Sequence, residues 1–124
     1  MRVSKIKINN KEYLACFSTR VAFACEERSG SVEKELDKVS KESQAGKLKE
    51  LFWLIYELLK AGKKYSELEG METEPLISYE DMLDSVGVSD YKYLVSSVTE
   101  TVTEGNKRKT EIIPPKNKET TQEE

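Results

Sequence analysis

One apolar segment, residues 46–62, constrains the fold of this chain more than any other part of its sequence. At about 100° of helical turn per residue, its large side chains recur at intervals that place them on one stripe of a helix. The stripe consists of Leu48, Leu51, Phe52, Ile55 and Leu59. Because such a stripe is stable in water only when it is covered, the segment predicts the central helix of a folded core.

Further apolar side chains leave this helix apolar over most of its circumference. Leu54, Leu58 and Tyr56 widen the stripe. Trp53 lies well off it, on the side of the helix that carries Lys49. A helix with apolar surface on more than one face needs either a shell of other helices or a partner chain, so self-association remains open.

Length and composition predict one helix-rich domain. A chain of 124 residues is large enough for one modest core and too small for two. An apolar fraction of 37% beside 35% charged residues is typical of a soluble helical protein with some disordered sequence. The longest apolar run, residues 51–56, is far shorter than the roughly 20 residues that cross a bilayer. Since the N-terminus lacks a signal-peptide pattern, we expect a cytoplasmic protein without a membrane partner.

The charge pattern argues against binding to nucleic acid. The net charge is −3 and acids and bases are interspersed, so no basic face for nucleic acid or acidic lipid is predicted. The two cysteines, Cys16 and Cys25, lack metal-ligand spacing. In a reducing compartment we expect both of them to be small core residues.

The residues of the common catalytic sites are absent from the sequence. The chain has no histidine, which removes the usual general base, the common nucleophile pairs and the typical zinc site. It also lacks the glycine-rich phosphate-binding motifs. Carboxylates remain, but those at 26–27 and 80–84 lack calcium-loop spacing and are expected to form solvated acidic faces. We therefore expect no catalytic residue, no cofactor and no metal, and a binding role by default.

The N-terminus predicts a small β-hairpin. Residues 3–8 and 13–17 have strand character, and they flank Asn9 and Asn10, which tolerate the positive φ of tight hairpin turns. Two strands alone are marginally stable in water. The apolar face of the hairpin is therefore expected to lie on the helices that follow.

Capping residues and apolar spacing predict four helices besides the central one. They begin after Ser18 or Thr19, after Ser31, after Ser78, and after Ser89 or Asp90. In the helix after Ser78, the side chains expected to face inward are Tyr79, Met82, Leu83 and Val86. Gly62 is expected to weaken the central helix, and the β-branched last helix is expected to fray unless another element packs on it. The fold class is thus mainly α, a single domain over residues 1–104 with an N-terminal hairpin and a bundle of about five helices.

A change of composition at Gly105 predicts a flexible, charged tail over residues 105–124. Its Asn, Lys, Thr, Glu and Pro residues cannot bury enough surface to offset the entropy of ordering, which is typical of disorder. Ile112 and Ile113 are the only apolar pair in this segment. They belong either to a short contact site that orders on a partner or to an inert tail.

Trp53 is the strongest candidate for a binding residue, and two interpretations of it stay open. It is either a core residue covered by another helix or an interface anchor, since Trp and Tyr dominate binding hot spots. In the second interpretation, Trp53 and Tyr56, with Lys49 and Lys60 around them, form the partner-binding surface.

Several short segments, each present once, follow one another in a characteristic order and spacing. They are the hairpin Ile6-Lys7-Ile8-Asn9-Asn10-Lys11-Glu12-Tyr13, the helix end Glu26-Glu27-Arg28-Ser29-Gly30, the central helix closing on Leu58-Leu59-Lys60-Ala61-Gly62-Lys63-Lys64-Tyr65, the helix start Ser78-Tyr79-Glu80-Asp81 and the tail Pro114-Pro115-Lys116-Asn117. With these segments the chain resembles, over essentially its whole length, the tail assembly chaperones of long-tailed phages and prophages of Gram-positive bacteria.

The resemblance implies a small helical protein that acts in the host cytoplasm and is absent from the mature virion. It would bind the long tape measure protein and keep it soluble while tail-tube subunits assemble around it. Such chaperones are often made in two forms by a programmed frameshift, and the longer form is thought to recruit the tail tube protein. The present chain would be the short form. The alternative is a small helical adaptor or regulatory binding protein of bacterial or prophage origin without catalytic activity.

Overall fold

The computed structural model describes the backbone of residues 3–112 and the side chains of residues 3–105. The chain begins with an antiparallel hairpin of β1 (Val3–Ile8) and β2 (Lys11–Cys16). Asn9 and Asn10 form its two-residue turn with φ of 52° and 67°, as in the type I′ turns that match strand twist. The predicted hairpin is therefore confirmed, although β2 begins two residues earlier than expected.

The predicted fold class is confirmed, since five α-helices follow the hairpin in the described part of the chain. They are α1 (Thr19–Ser29), α2 (Val32–Gln44), α3 (Lys49–Leu68), α4 (Tyr79–Ser85) and α5 (Tyr91–Ile112), with a 3₁₀ helix at Val88–Asp90 before α5. The serine caps explain where three of them begin. Ser18, Ser31 and Ser78 each accept a hydrogen bond from the backbone N–H three residues further on. No helix within residues 3–112 is both long and apolar enough to span a bilayer.

The central helix α3 forms the middle of the core. Leu51, Leu54, Ile55, Leu58 and Leu59 are all fully buried. The hairpin and helices α1, α2 and α5 pack around this helix, so most of its apolar surface is covered within the chain itself. Burial of these large side chains, each contributing about 1.5–3 kcal/mol, makes α3 the main source of stability.

Gly62 does not weaken α3 as the sequence suggests, because the helix continues through it to Leu68. The hairpin backbone lies directly on this glycine. A Cβ at position 62 would lie 2.9 Å from the backbone nitrogen of Ala15 and closer still to the carbonyl group of Leu14. Gly62 is thus a packing residue that lets β2 approach the central helix.

The last helix continues further than composition suggests. It passes through Gly105 to Ile112, eight residues into the segment for which a flexible tail is predicted. Val98 and Val102 are fully buried, Thr101 Oγ1 lies 3.1 Å from Ser4 Oγ, and Gly105 packs against the ring of Phe17. Packing against the hairpin therefore offsets the low helix propensity of the β-branched residues.

The predicted contact pair of the tail cannot be placed by its side chains. Ile112 is the last residue of α5 by its backbone, and its side chain lies beyond the described ones. Ile113 and the rest of the predicted tail, residues 113–124, lie outside the described residues. The proposed contact at this pair stays a prediction.

The contact at Gly62 predicts whether a methyl group at this position raises or lowers the stability of the protein. Helix propensity alone would make Gly62→Ala more stable by about 1 kcal/mol. The contact with β2 instead predicts a loss of about 2–3 kcal/mol, because the hairpin must shift to admit the new methyl group. Urea unfolding followed by circular dichroism measures the difference.

Gly87→Ala is the matched control, since φ there is −96° and the nearest atom to a new Cβ is 3.9 Å away. We expect its free energy of unfolding to change by less than about 0.5 kcal/mol. A Gly62→Ala protein as stable as the unaltered chain would contradict the packing role.

Candidate functional site

An open apolar groove lies at the N-terminal end of α3, between the end of α1 and helix α4. Its volume is about 500 Å³, and most of its exposed lining is apolar. The residues that line it are Arg28, Gly46, Leu48, Lys49, Phe52, Trp53, Tyr79 and Leu83. The groove thus forms where apolar side chains of the first turns of α3 are left at the surface of the protein.

The shape of the groove follows from the shortness of α4. This helix has seven residues and buries Met82 completely, but it is too short to cover the neighbouring face of α3. The expectation that Leu83 faces inward is wrong, since it is 39% exposed at the groove. Trp53 and Leu48 are consequently only half-buried.

Arg28 holds the exposed face of Trp53. Its guanidinium carbon lies 4.3 Å from the centre of the Trp53 ring, which is a cation–π contact. Two parallel hydrogen bonds of 2.8 Å, from Nε and Nη2 to the two carboxylate oxygens of Glu50, fix this guanidinium. Trp53 therefore has a set orientation even though the fold buries it only in part.

A buried acid lies behind this contact. Glu35 of α2 is completely buried, and Ser29 Oγ donates a hydrogen bond to its Oε1. Burial, with a further contribution from a hydrogen bond shared with Glu50, raises the pKa of Glu35 to about 7. The hydrogen bond from Arg28 lowers the pKa of Glu50 to about 2. When Glu35 is protonated it can donate a hydrogen bond to ionised Glu50, whereas no hydrogen-bond donor among the described residues reaches its Oε2.

Tyr56 and Lys60 lie beside the groove rather than in it. The Tyr56 hydroxyl donates to the carbonyl of Ile77 at 2.8 Å, and its ring meets Tyr79 edge to face at 5.5 Å between centroids. Lys60 is 2.9 Å from Glu57 and 5.8 Å from the centre of the Tyr56 ring. Of the predicted surface, Trp53 and Lys49 therefore line the groove, whereas Tyr56 positions the segment that leads into α4.

A second cavity, of about 280 Å³, lies between the hairpin and the segment that follows α3. Lys63, which lines it, is already engaged within the fold, because its Nζ donates to Thr73 Oγ1 at 3.1 Å and to the carbonyl of Glu74 at 3.4 Å. We therefore consider it part of the folded structure and not a candidate site.

Metal-ligating side chains are not clustered in the described part of the chain. Among its His, Cys, Asp and Glu residues, no group of three or more is arranged to hold a metal ion. Cys16 and Cys25 are both buried, as expected. Burial, followed by the charge of Glu35, raises the pKa of Cys25 to about 12, so this thiol stays protonated.

Sequence reasoning missed Arg28, Glu50, Glu35 and Leu83 as contributors to this site. Arg28 stands in the last turn of α1, where a basic residue is ordinary, and its partners Glu50 and Trp53 lie on another helix, α3. One signal was present: Glu35 falls at i+3 from Val32 and i−4 from Val39, on the apolar face of α2. An acid at such a position needs a buried partner.

The comparisons of this chain with protein families, with curated proteins and with solved structures gave no match.

The buried acids predict how stability depends on pH. Glu35 has a folded pKa above its ordinary value of 4.5, so its contribution is complete below about pH 4.5 and is lost as pH rises through about 7. Glu50 has a lowered pKa, so its contribution is present above about pH 4.5 and is lost as pH falls toward 2. We expect unfolding free energy to fall by about 1–3 kcal/mol between about pH 5 and about pH 8.

Glu35→Gln should remove this fall, because the amide can accept from Ser29 and donate to Glu50 as the protonated acid does. Glu33→Gln changes an exposed acid on the same helix and should leave the fall intact. Urea titrations of the three proteins across this range measure the effect. A Glu35→Gln protein with the same pH dependence as the unaltered chain would contradict the role assigned to Glu35.

Proposed function

We propose that this protein is a tail assembly chaperone of a long-tailed phage or prophage, which binds the tape measure protein and keeps it soluble during assembly of the tail tube. The observation that carries the proposal is the open apolar groove beside Trp53, at the end of the helix that forms the core. The likeness in the order of elements to such chaperones supplies the identity of the partner.

An apolar groove on this protein can cover apolar surface on its partner. A tape measure protein, as the resemblance implies, is a long helical chain whose apolar stripes would aggregate before the tube covers them. A groove lined by aromatic and leucine side chains can cover one such stripe by accepting a helix along its length. A tryptophan held in place beforehand by Arg28 loses little conformational entropy on binding.

The further steps of assembly belong to the same proposal. The protein acts in the host cytoplasm, has no catalytic role and leaves the complex before the virion matures. The tail tube protein is the second partner and is recruited by a longer, frameshifted form. Each of these steps comes from the resemblance and is compatible with a binding groove that lacks reactive groups.

A helical adaptor or regulatory protein is the competing function, since the groove could take an amphipathic helix from another source. Gene order separates the two functions. A chaperone should precede a very long gene for a helical protein, with an overlapping reading frame at the junction. An isolated gene without such a neighbour would favour the adaptor.

Trp53→Ala tests the proposed groove directly. We expect affinity for the tape measure protein to fall about tenfold or more, since a central tryptophan is a typical hot spot. Weaker binding should leave less of the tape measure protein soluble when the two proteins are co-expressed, and this soluble fraction is the quantity measured. Circular dichroism of the variant establishes that it is folded.

Phe23→Ala is the matched control. Phe23 is 59% exposed on α1 and does not line the groove, so its loss removes a comparable exposed aromatic side chain elsewhere. We expect solubilisation by this variant to match the unaltered protein. Full solubilisation by folded Trp53→Ala would remove the groove from the binding site.

A further inference from the structure

The cations of the groove suggest which charges its partner carries. Arg28 and Lys49 are the two charged residues among the lining residues, and both are basic. Lys47, which is exposed, lies next to Leu48 of the lining. The acids of α4, Glu80 and Asp84, neighbour Tyr79 and Leu83 in the chain but do not line the groove.

These cations differ in how far they are neutralised. Arg28 is paired with Glu50, and Lys38 Nζ lies 3.9 Å from Oε1 of the same carboxylate. Lys49 makes no ion pair with any residue within the described part of the chain and is exposed to solvent. The margin of the groove next to α3 therefore carries positive charge that the fold does not compensate.

The start of α3 adds potential of the same sign. Leu48 is its N-cap and provides no side-chain hydrogen bond to the first turn. The free N–H groups of that turn carry the positive end of the helix dipole. This contribution is secondary to that of Lys49, the lining cation on which the inference rests.

We infer that the groove accepts an amphipathic helix whose apolar stripe is flanked by Asp or Glu side chains, with these acids lying against Lys49. The inference rests on the proposed function for the nature of the partner, a helical protein segment. It adds the charge that selects the segment. Complementary charge at the margin of an apolar interface favours correct partners and register more than it adds affinity.

The net charge of the chain favours the opposite preference, for basic peptides. At −3, the protein as a whole attracts basic peptides and repels acidic ones. A preference for acidic flanks would therefore run against the net charge. Such a preference can arise only from a local basic surface.

Two synthetic helical peptides test the inference on the full-length chain. They share one apolar stripe without tryptophan and differ only in flanking residues, which are Glu in one and Lys in the other, both good helix formers. Trp53 is the single tryptophan of the chain and reports binding by its emission. We expect the Glu-flanked peptide to bind about three- to tenfold more tightly at low salt. The difference should shrink at about 0.5 M NaCl.

Two variants with the same change of charge test which part of the surface causes the preference. Lys49→Glu should abolish it, whereas Lys64→Glu, an exposed position near the other end of α3, should preserve it. Equal binding of the peptides, tighter binding of the Lys-flanked peptide, or a preference that survives Lys49→Glu would overturn the inference. These results would leave the proposed function intact, since solubilisation requires only an apolar stripe. If neither peptide alters Trp53 emission, a helix does not occupy the groove and the inference also fails. Co-expression with the tape measure protein would still test the proposed function separately.

Discussion

The structure depends on the excess of apolar surface around α3. Five of its large apolar side chains are fully buried, and they bring the hairpin and helices α1, α2 and α5 into contact with one helix. The remaining side of its first turns is flanked by the end of α1 and by α4, which is only seven residues long. A helix that is apolar on more than one face and lacks a complete shell must expose part of that surface. The groove at Trp53 is this uncovered part.

The interactions around the groove are polar and specific. Arg28 is fixed by Glu50, Glu50 lies beside buried Glu35, and Glu35 accepts from Ser29, so one network joins α1, α2 and α3 behind Trp53. A buried network of this kind is costly unless each member finds a partner. It holds the tryptophan ring in a defined position, and it links the stability of this region to pH through Glu35. The apolar groove thus lies on a network of hydrogen-bonded polar side chains.

Much of the fold could be predicted because its signals are local. The stripe of α3, the serines at 18, 31 and 78, and the asparagines of the hairpin turn each act within a few residues, through helical periodicity, capping or positive φ. The roles of Gly62 and Gly105 could not be predicted, since they depend on β2 and Phe17 from distant parts of the chain. Composition likewise misplaced the end of α5, because contacts with the hairpin override weak helix propensity.

The candidate site was predictable to a smaller extent. Helical geometry separated Trp53 and Lys49 from the buried stripe, and both line the groove. It could not indicate that Arg28 would cover the indole or that Tyr56 would instead support the segment before α4. Those contacts are set by the way separate helices pack, and no spacing within one helix encodes them.

Acrylamide quenching of Trp53 fluorescence tests the central claim most directly, because this residue is the only tryptophan in the chain. The account predicts that the indole of the free, monomeric protein is quenched to an intermediate degree. It also predicts that a bound tape measure segment protects the indole and shifts its emission to shorter wavelength. A free monomer whose tryptophan is already fully shielded from acrylamide would show that the fold covers all of α3, and would contradict the account.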